Sequence, residues 1–318
     1  MKPFQEFNWK IWKTVEHRGG SMKKNLIIIL FLFISGSMLF SEILEVGGPN
    51  SQYTTIKSAV LEARDGDVIR IYAGNYIENL RFSKSISLEG VNTHNVILKP
   101  LNPNFPTIMI ENCNMLKISG MTIYGESISI SLAMTNATIN GNKIFSSKDG
   151  IRAGTLNHEI KINNNQISGN FNNIKNNNTN GIMLVGVGKT IIENNNIQSF
   201  GSGIYLGGKK PVKISENQVH SNYYGIYASG NTEAIITSNR LYQNNRSGIL
   251  LVSKPIVTIS SNYFSSNEMY DILVSDSACG EFLIDFTGSI TGHSNNIDES
   301  LKICPAEFLL PEDFLKGS

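Results

Sequence analysis

Four short phrases in the second half of the chain decide the fold. Their glycines are spaced 22, 22 and 23 residues apart. The phrases are Gly181-Ile-Met-Leu184, Gly203-Ile-Tyr-Leu206, Gly225-Ile-Tyr-Ala228 and Gly248-Ile-Leu-Leu251. The same register continues at Asp271-Ile272-Leu273, and Asp149-Gly150-Ile151-Arg152 opens it 31 residues before Gly181. Self-similarity at a fixed period is typical of a solenoid, in which each repeat packs on its neighbours.

A second phrase recurs in step with the first: an isoleucine, two residues, an asparagine, one residue and then an apolar residue. Its asparagines are Asn142, Asn165, Asn195, Asn217, Asn239 and Asn262. We expect them to adopt the left-handed turn conformation and to stack, so that their amides hydrogen-bond as a ladder. The glycine before each isoleucine suits a tight corner.

The apolar residues within each unit alternate with polar ones, as in Val212, Lys213 and Ile214. This period of two indicates strands. Three short strands in each turn of 22 residues predict an all-β chain folded as a single parallel β-helix. Seven or eight coils at a spacing of ~4.8 Å would form a stack of roughly 35–40 Å.

Composition excludes several classes of protein. The 318 residues are 41% hydrophobic, enough for a core, and only 17% charged. A formal net charge of +1 provides no basic field, so we expect no nucleic-acid partner. Three cysteines cannot form a disulfide scaffold or a Cys₄ zinc site.

The N-terminal residues have the pattern of an export signal. Met22-Lys23-Lys24 is a short basic start, and the apolar stretch that follows it ends at Phe40. This pattern predicts a signal peptide at residues 22–41 and a mature chain from Glu42. Residues 1–21 are then a leader before the true start at Met22. An uncleaved membrane anchor is the alternative. Either way we expect an exported protein, periplasmic or extracellular.

Caps are expected at both ends of the solenoid, because its terminal coils would otherwise be exposed. We expect an N-terminal cap and the first coils at residues 42–112, the repeats at 113–279 and a C-terminal cap at 280–318. The pattern of apolar residues from Tyr53 to Ala63 predicts an amphipathic capping helix.

The N-terminal block resembles the cap of a known superfamily. It consists of residues 53–60 (YTTIKSAV), Ala63, residues 66–69 (GDVI), 73–78 (AGNYIE) and 86–90 (ISLEG). Together with the repeats it is similar to the pectin-lyase-like right-handed parallel β-helix superfamily, and this resemblance covers about residues 44–276. The repeats are also similar to those of periplasmic copper-accessory proteins of nitrous oxide reduction. Pectin methylesterases share the opening, but their later motifs are absent, so the resemblance implies no esterase and supplies no catalytic residue.

Candidate catalytic residues are Asp149 and Arg152, at the first clear Gly-Ile phrase. On the outside of a β-helix such a pair can bind Ca²⁺ and abstract a sugar proton. The alternative is a solvated surface pair. Apart from a possible Ca²⁺ ion we expect no cofactor, and no metal-ligand spacing joins His94, His158, His220 and His293.

Candidate binding residues lie at the fourth position of the Gly-Ile phrases, which should point outward. Down the stack this position is occupied by Arg152, Met183, Tyr205, Tyr227, Leu250 and Leu273. Tyr205 and Tyr227 should be neighbours ~4.8 Å apart, with Tyr224 on the same side. Such rings suit the faces of sugars. The alternative is ordinary stacking under a loop. In an oxidising compartment Cys279 and Cys304 are candidates for a disulfide, with Cys113 buried.

The sequence therefore favours an exported β-helix protein that binds a polysaccharide along one lateral face. Polysaccharide lyase or glycoside hydrolase activity is possible, but no motif supports it. Two alternatives remain open: a non-catalytic structural or surface scaffold, and a periplasmic accessory protein.

Overall fold

The computed structural model of the chain describes residues 41–154, 159–170, 178–186, 188–280, 284–297, 303–305 and 310–315. The predicted leader and all but the last residue of the predicted signal peptide lie outside the described residues. In the part described, no helix is long and apolar enough to span a bilayer.

The described chain is a right-handed parallel β-helix, as predicted. Each coil contributes one strand to each of three faces, here called sheets 1, 2 and 3, and every strand pairs in parallel with its copy one coil on. Because the long strands Ile108–Ser119 (β7) and Ile128–Asn140 (β9) continue around one corner, they join sheets 1 and 2.

Sheet 1 carries the Gly-Ile phrases. Its strands are β4 (Leu80–Phe82), the first parts of β7 (Ile108–Ser119) and β9 (Ile128–Asn140), β11 (Asp149–Gly154), β14 (Asn180–Val185), β17 (Ser202–Gly207), β20 (Tyr224–Gly230), β23 (Ser247–Ser253), β26 (Tyr270–Val274) and β29 (Ile303–Cys304).

Sheet 2 follows sheet 1 in each coil. Its strands are β1 (Ile43–Val46), β2 (Val68–Ile71), β5 (Ser87–Gly90), the second parts of β7 and β9, β12 (Ile160–Asn163), β15 (Thr190–Glu193), β18 (Pro211–Ser215), β21 (Glu233–Thr237), β24 (Ile256–Ser260) and β27 (Ser289–Thr291).

Sheet 3 is made of short strands that follow the repeated asparagines. They are β3 (Gly74–Ile77), β6 (Val96–Lys99), β8 (Thr122–Gly125), β10 (Lys143–Ser146), β13 (Gln166–Ser168), β16 (Asn196–Gln198), β19 (Gln218–His220), β22 (Arg240–Tyr242), β25 (Tyr263–Ser265) and β28 (Asn296–Ile297). Sheet 3 has ten strands, so the prediction of seven or eight coils was too low. The first coils lack the Gly-Ile phrase, so the spacing of that phrase does not reveal them.

The predicted capping helix is present as α1 (Ile56–Glu62) and buries Ile56, Ala59 and Val60 against the first coils. Thr55 caps its N-terminus by accepting from the Ser58 backbone N–H. The Glu78 carboxylate accepts from the N–H groups of Ile56 (3.0 Å) and Lys57 (2.8 Å), so the first coil holds the helix in place. The helix begins later than predicted, because Tyr53 forms a β-bridge with Val46 instead.

The repeated asparagines form the predicted ladder inside the corner between sheets 2 and 3. Each side-chain amide donates to Oδ1 of the next asparagine, from Asn142 to Asn295, over distances of 2.9–3.1 Å. The prediction of their backbone conformation was wrong. The left-handed residue is the one before each asparagine, such as Asn194 (φ 55°) or Glu216 (φ 58°). This turn leaves the asparagine side chain free to face inward and bond to the neighbouring coils.

The glycines of the Gly-Ile phrases are required for space and not for a left-handed corner. A Cβ at Gly181 would lie 2.6 Å from the carbonyl oxygen of Gly203, and a Cβ at Gly203 would lie 2.7 Å from that of Gly225. The following isoleucines, such as Ile182 and Ile204, are fully buried in a single core cluster that runs along the stack. The Gly-Ile phrase thus fixes which residues of sheet 1 face outward.

Candidate functional site: the outer face of sheet 1

The predicted outward column of sheet 1 exists in the expected register. Arg152, Met183, Tyr205, Tyr227, Leu250 and Leu273 are aligned on successive parallel strands. A second column, three residues earlier in each strand, lies beside it and includes Asp149, Asn180 and Tyr224. We refer to these two columns together as the sheet-1 face.

The end of the sheet-1 face nearer the C-terminus is covered. Tyr224, Leu250 and Leu273 are at most 4% exposed, and with Cys279 and Cys304 they form an apolar cluster separate from the main core. The expectation that these three side chains are open to solvent was therefore wrong. An outward column of leucine and tyrosine is apolar surface, and the C-terminal segment buries it.

The candidate disulfide is formed: Cys279 and Cys304 are bonded, with Cα atoms 5.7 Å apart. Cys304 follows Leu273 in the outward column, so the bond fixes the residues around Cys279 over the end of the sheet-1 face. Cys113 is buried, as expected, and its thiol donates to the Lys84 carbonyl oxygen at 3.1 Å. Burial raises the pKa of this thiol.

Tyr205 and Tyr227 are neighbours on the part of the face that stays partly exposed. Their ring centroids are 5.1 Å apart, and the rings meet edge to face at 72°. The buried ring of Tyr224 lies 5.7 Å from Tyr227, also edge to face. Burial raises the pKa of Tyr227, and it raises the pKa of Tyr224 to about 12. Tyr205 and Tyr227 can therefore offer aromatic surface to a ligand, whereas the buried Tyr224 only packs against Tyr227.

Asp149 and Arg152 lie together, but neither interpretation of this pair from sequence describes it. Asp149 is fully buried, so it is neither a solvated surface carboxylate nor an open Ca²⁺ ligand or base. One carboxylate oxygen accepts from Arg152 Nε at 2.7 Å, and the other accepts from Asn180 Nδ2 at 2.8 Å. These bonds compensate the burial of the charge and fix the guanidinium of Arg152, whose side chain is 36% exposed.

In the part of the chain that the structure describes, no group of three or more His, Cys, Asp or Glu side chains is arranged to hold a metal ion. Of the four histidines considered from sequence, His158 lies outside the described residues. His220 packs its ring on Tyr242 on the outer surface of sheet 3. Sequence reasoning missed this second outward surface because its residues share a position in each coil and not a residue type.

Comparisons with known proteins agree with the fold. A family model described as a right-handed beta helix region matches residues 170–300. No curated protein sequence matches the chain. An alginate lyase from Paenibacillus sp. str. FPU-7 superposes with a TM-score of 0.56 at 13% identity, over 82% of this chain and 97% of that one. Pectate lyase Pel9A superposes with a TM-score of 0.56 at 12% identity, over 81% of this chain and 78% of that one.

Proposed function

Since the chain has the pectin-lyase-like right-handed parallel β-helix fold, which it shares with polysaccharide-active enzymes, we propose that it is an exported protein that binds an extended polysaccharide along the sheet-1 face. The observation that carries the proposal is the partly exposed pair Tyr205 and Tyr227, aligned with Arg152 on successive coils. A ligand running along the stack meets one outward side chain about every 4.8 Å.

The chemistry of the column supports a sugar polymer. An aromatic ring offers an apolar plane to the C–H face of a sugar, and its hydroxyl can bond to sugar oxygens. The guanidinium of Arg152 is held by Asp149 and keeps exposed N–H donors. Met183, between Arg152 and Tyr205, adds an adaptable apolar contact.

The experiment is a glycan array with the purified mature protein, followed by reducing-end and unsaturated-product assays on every bound glycan. Product formation would indicate a glycoside hydrolase or a lyase; binding without product would indicate a non-catalytic binding protein. Tyr205→Ala should then weaken binding by roughly 1–3 kcal/mol, as for other stacked aromatic contacts. Tyr72→Ala removes a partly exposed ring directly after β2 of sheet 2, outside the sheet-1 face, and is the matched control.

A second candidate function, a non-catalytic scaffold, is favoured by the buried cluster of Tyr224, Leu250 and Leu273. In that case the tyrosines of sheet 1 serve stability. Binding of the glycans on the array would then not depend on Tyr205. Tyr227→Ala would lower the melting temperature without changing the binding of any glycan.

A further inference from the structure

The outer surface of sheet 3 carries a second aligned set of aromatic side chains. One outward column runs through Tyr124, Phe145, Ser168, Gln198, His220 and Tyr242 on successive parallel strands. Tyr124 stacks on Phe145 with centroids 5.0 Å apart and an angle of 16° between the rings. His220 stacks on Tyr242 with centroids 4.6 Å apart and an angle of 14°.

The two ring pairs face each other across a gap. Phe145 is followed by Ser168 and Gln198, whose small or flexible side chains leave one face of the ring uncovered. Phe145 is accordingly 37% exposed. The Gln198 amide donates to Ser168 at 3.3 Å and so lies on the floor of the gap. Phe145 and His220 are three coils apart, which places about 14 Å between their backbones.

Cations lie at both ends of this arrangement. The ammonium of Lys99 is 5.2 Å from the ring centre of Tyr124. The guanidinium of Arg240 is 5.9 Å from Tyr242 and 5.6 Å from Tyr263. Lys143, in the neighbouring outward column on the coil of Phe145, adds a third cation within 3.0 Å of His94 Nε2.

The charge on this surface has one sign. None of the ten strands of sheet 3 contains Asp or Glu. Within the described residues, Lys99, Lys143 and Arg240 form no salt bridge, whereas Lys117 and Lys161 of sheet 2 are both paired with glutamates. Burial lowers the pKa of His220, so its ring stays neutral near pH 7 and the positive charge comes from the three cations.

We infer that the outer surface of sheet 3 is a second binding surface, and that its ligand is a polyuronate, a polysaccharide with a carboxylate on each sugar. Sugar rings pack in the gap between Phe145 and His220, while carboxylates on the same polymer pair with Lys143 and Arg240. These two cations are four coils, about 19 Å, apart, a span that only an extended polyanion meets at once. The polymer lies along the helix axis, as on the sheet-1 face, but contacts none of its residues.

The test measures binding of polygalacturonate at low ionic strength, with highly methyl-esterified pectin as a probe of the same backbone without most of its charge. The double variant Lys143→Gln/Arg240→Gln should bind polygalacturonate about three- to tenfold more weakly, the sum expected from two exposed ion pairs. It should bind the esterified pectin as the unchanged protein does. Phe145→Ala should weaken binding of both probes. Circular dichroism establishes that each variant is folded.

Two control variants separate this surface from the rest of the molecule. Lys213→Gln removes an exposed cation from sheet 2, and Tyr205→Ala removes the proposed contact on the sheet-1 face; neither should change binding of polygalacturonate to sheet 3. If Lys213→Gln weakens binding as much as the double variant, the inference is overturned. If Tyr205→Ala is the only variant that weakens binding of polygalacturonate, the inference is also overturned, whereas the proposal for the sheet-1 face remains supported.

Binding of dextran sulfate tests whether sheet 3 recognises the sugar or only the negative charge. If dextran sulfate binds as tightly as polygalacturonate and Phe145→Ala leaves both affinities unchanged, sheet 3 is a non-specific polyanion surface and the inference fails. A preference for polygalacturonate that disappears in Phe145→Ala supports recognition of the sugar ring together with its carboxylate.

Discussion

The amide of Asn195 donates to Oδ1 of Asn217 one coil away, at 2.9 Å, and the same Oδ1 accepts from the Asn195 backbone N–H. Asn217 in turn donates to the carbonyl oxygens of Ile192 and Ser215 and to Oδ1 of Asn239. One buried side chain therefore satisfies backbone groups in two coils, and the ladder is a main contributor to the specificity of the register.

Replacing a ladder asparagine should destabilise the whole stack. Asn217→Ala leaves several buried donors and acceptors without partners, so we expect the free energy of unfolding to fall by about 3 kcal/mol. Urea denaturation followed by circular dichroism measures it. Asn245→Ala, at an exposed position, should change stability by no more than about 0.5 kcal/mol. Equal effects of the two substitutions would contradict the role of the ladder.

The two tyrosines of sheet 1 that differ in burial should differ in their effect on stability. Tyr224→Ala removes a ring that is 4% exposed and should cost about 3–5 kcal/mol. Tyr205→Ala removes a partly exposed ring and should cost less than about 1 kcal/mol. Thermal unfolding of the two variants side by side tests this, and a larger loss for Tyr205→Ala would show that the cluster is assigned to the wrong rings.

Alkaline pH should destabilise the protein through Tyr224. Its pKa is about 12 in the folded protein against 10.0 for an ordinary tyrosine, because burial favours the neutral phenol. The unfolded chain therefore loses this proton first, and the contribution of the neutral phenol to stability is complete below about pH 10 and is lost as the pH rises towards 12. Tyr224→Phe should reduce the slope of stability against pH in this range. An unchanged slope would rule out Tyr224 as the source.

The cysteines should be distinguishable by thiol labelling. With Cys279 and Cys304 bonded and Cys113 buried, the folded, unreduced protein should react with no thiol reagent, and the denatured protein should react once. Replacing both bonded cysteines by serine should lower the free energy of unfolding by about 3.5 kcal/mol, from the chain-entropy estimate for a sequence separation of 25 residues. Two or more reactive thiols in the denatured, unreduced protein would contradict the pairing.

We propose that the protein is exported and that its mature form begins near Glu42, because the basic start at Met22 and the apolar stretch to Phe40 have the pattern of a cleaved signal. The intact mass of secreted material measures this directly. Both tryptophans, Trp9 and Trp12, precede the proposed cleavage site, so mature protein should show no tryptophan fluorescence. Tryptophan emission from secreted material would contradict the cleavage.

The features that could be predicted from the sequence are those that repeat by residue type. Alternation predicted the strands, the recurring asparagine predicted the ladder, and the Gly-Ile spacing placed Tyr205 beside Tyr227. Each depends on contacts between equivalent positions of adjacent coils, which the period alone determines.

The rest depends on partners that do not repeat. Tyr224 packs against Tyr223 and against the guanidinium of Arg246, which do not recur at the equivalent positions of other coils, so its burial could not be predicted from the phrase around it. The buried carboxylate of Asp149 accepts hydrogen bonds from Arg152 and from Asn180, which follows the longest spacing between two Gly-Ile phrases, so this arrangement could not be predicted from the phrase around Asp149. The rings of sheet 3 share a position and not a residue type: the same column holds Phe145, Ser168 and Gln198.

The ladder also determines how this molecule can change its length during evolution. Asn165 and Asn195 are 30 residues apart and Asn195 and Asn217 are 22 apart, yet both pairs bond with the same geometry, at 3.0 and 2.9 Å. The surplus residues fall between β13 and β14, which both keep their register with the next coil, whereas one residue inserted within a strand would turn its inward side chains outward. Adding or removing a whole coil would therefore leave the cross-section unchanged, and the length available to a ligand that runs along the axis would change in steps of about 4.8 Å.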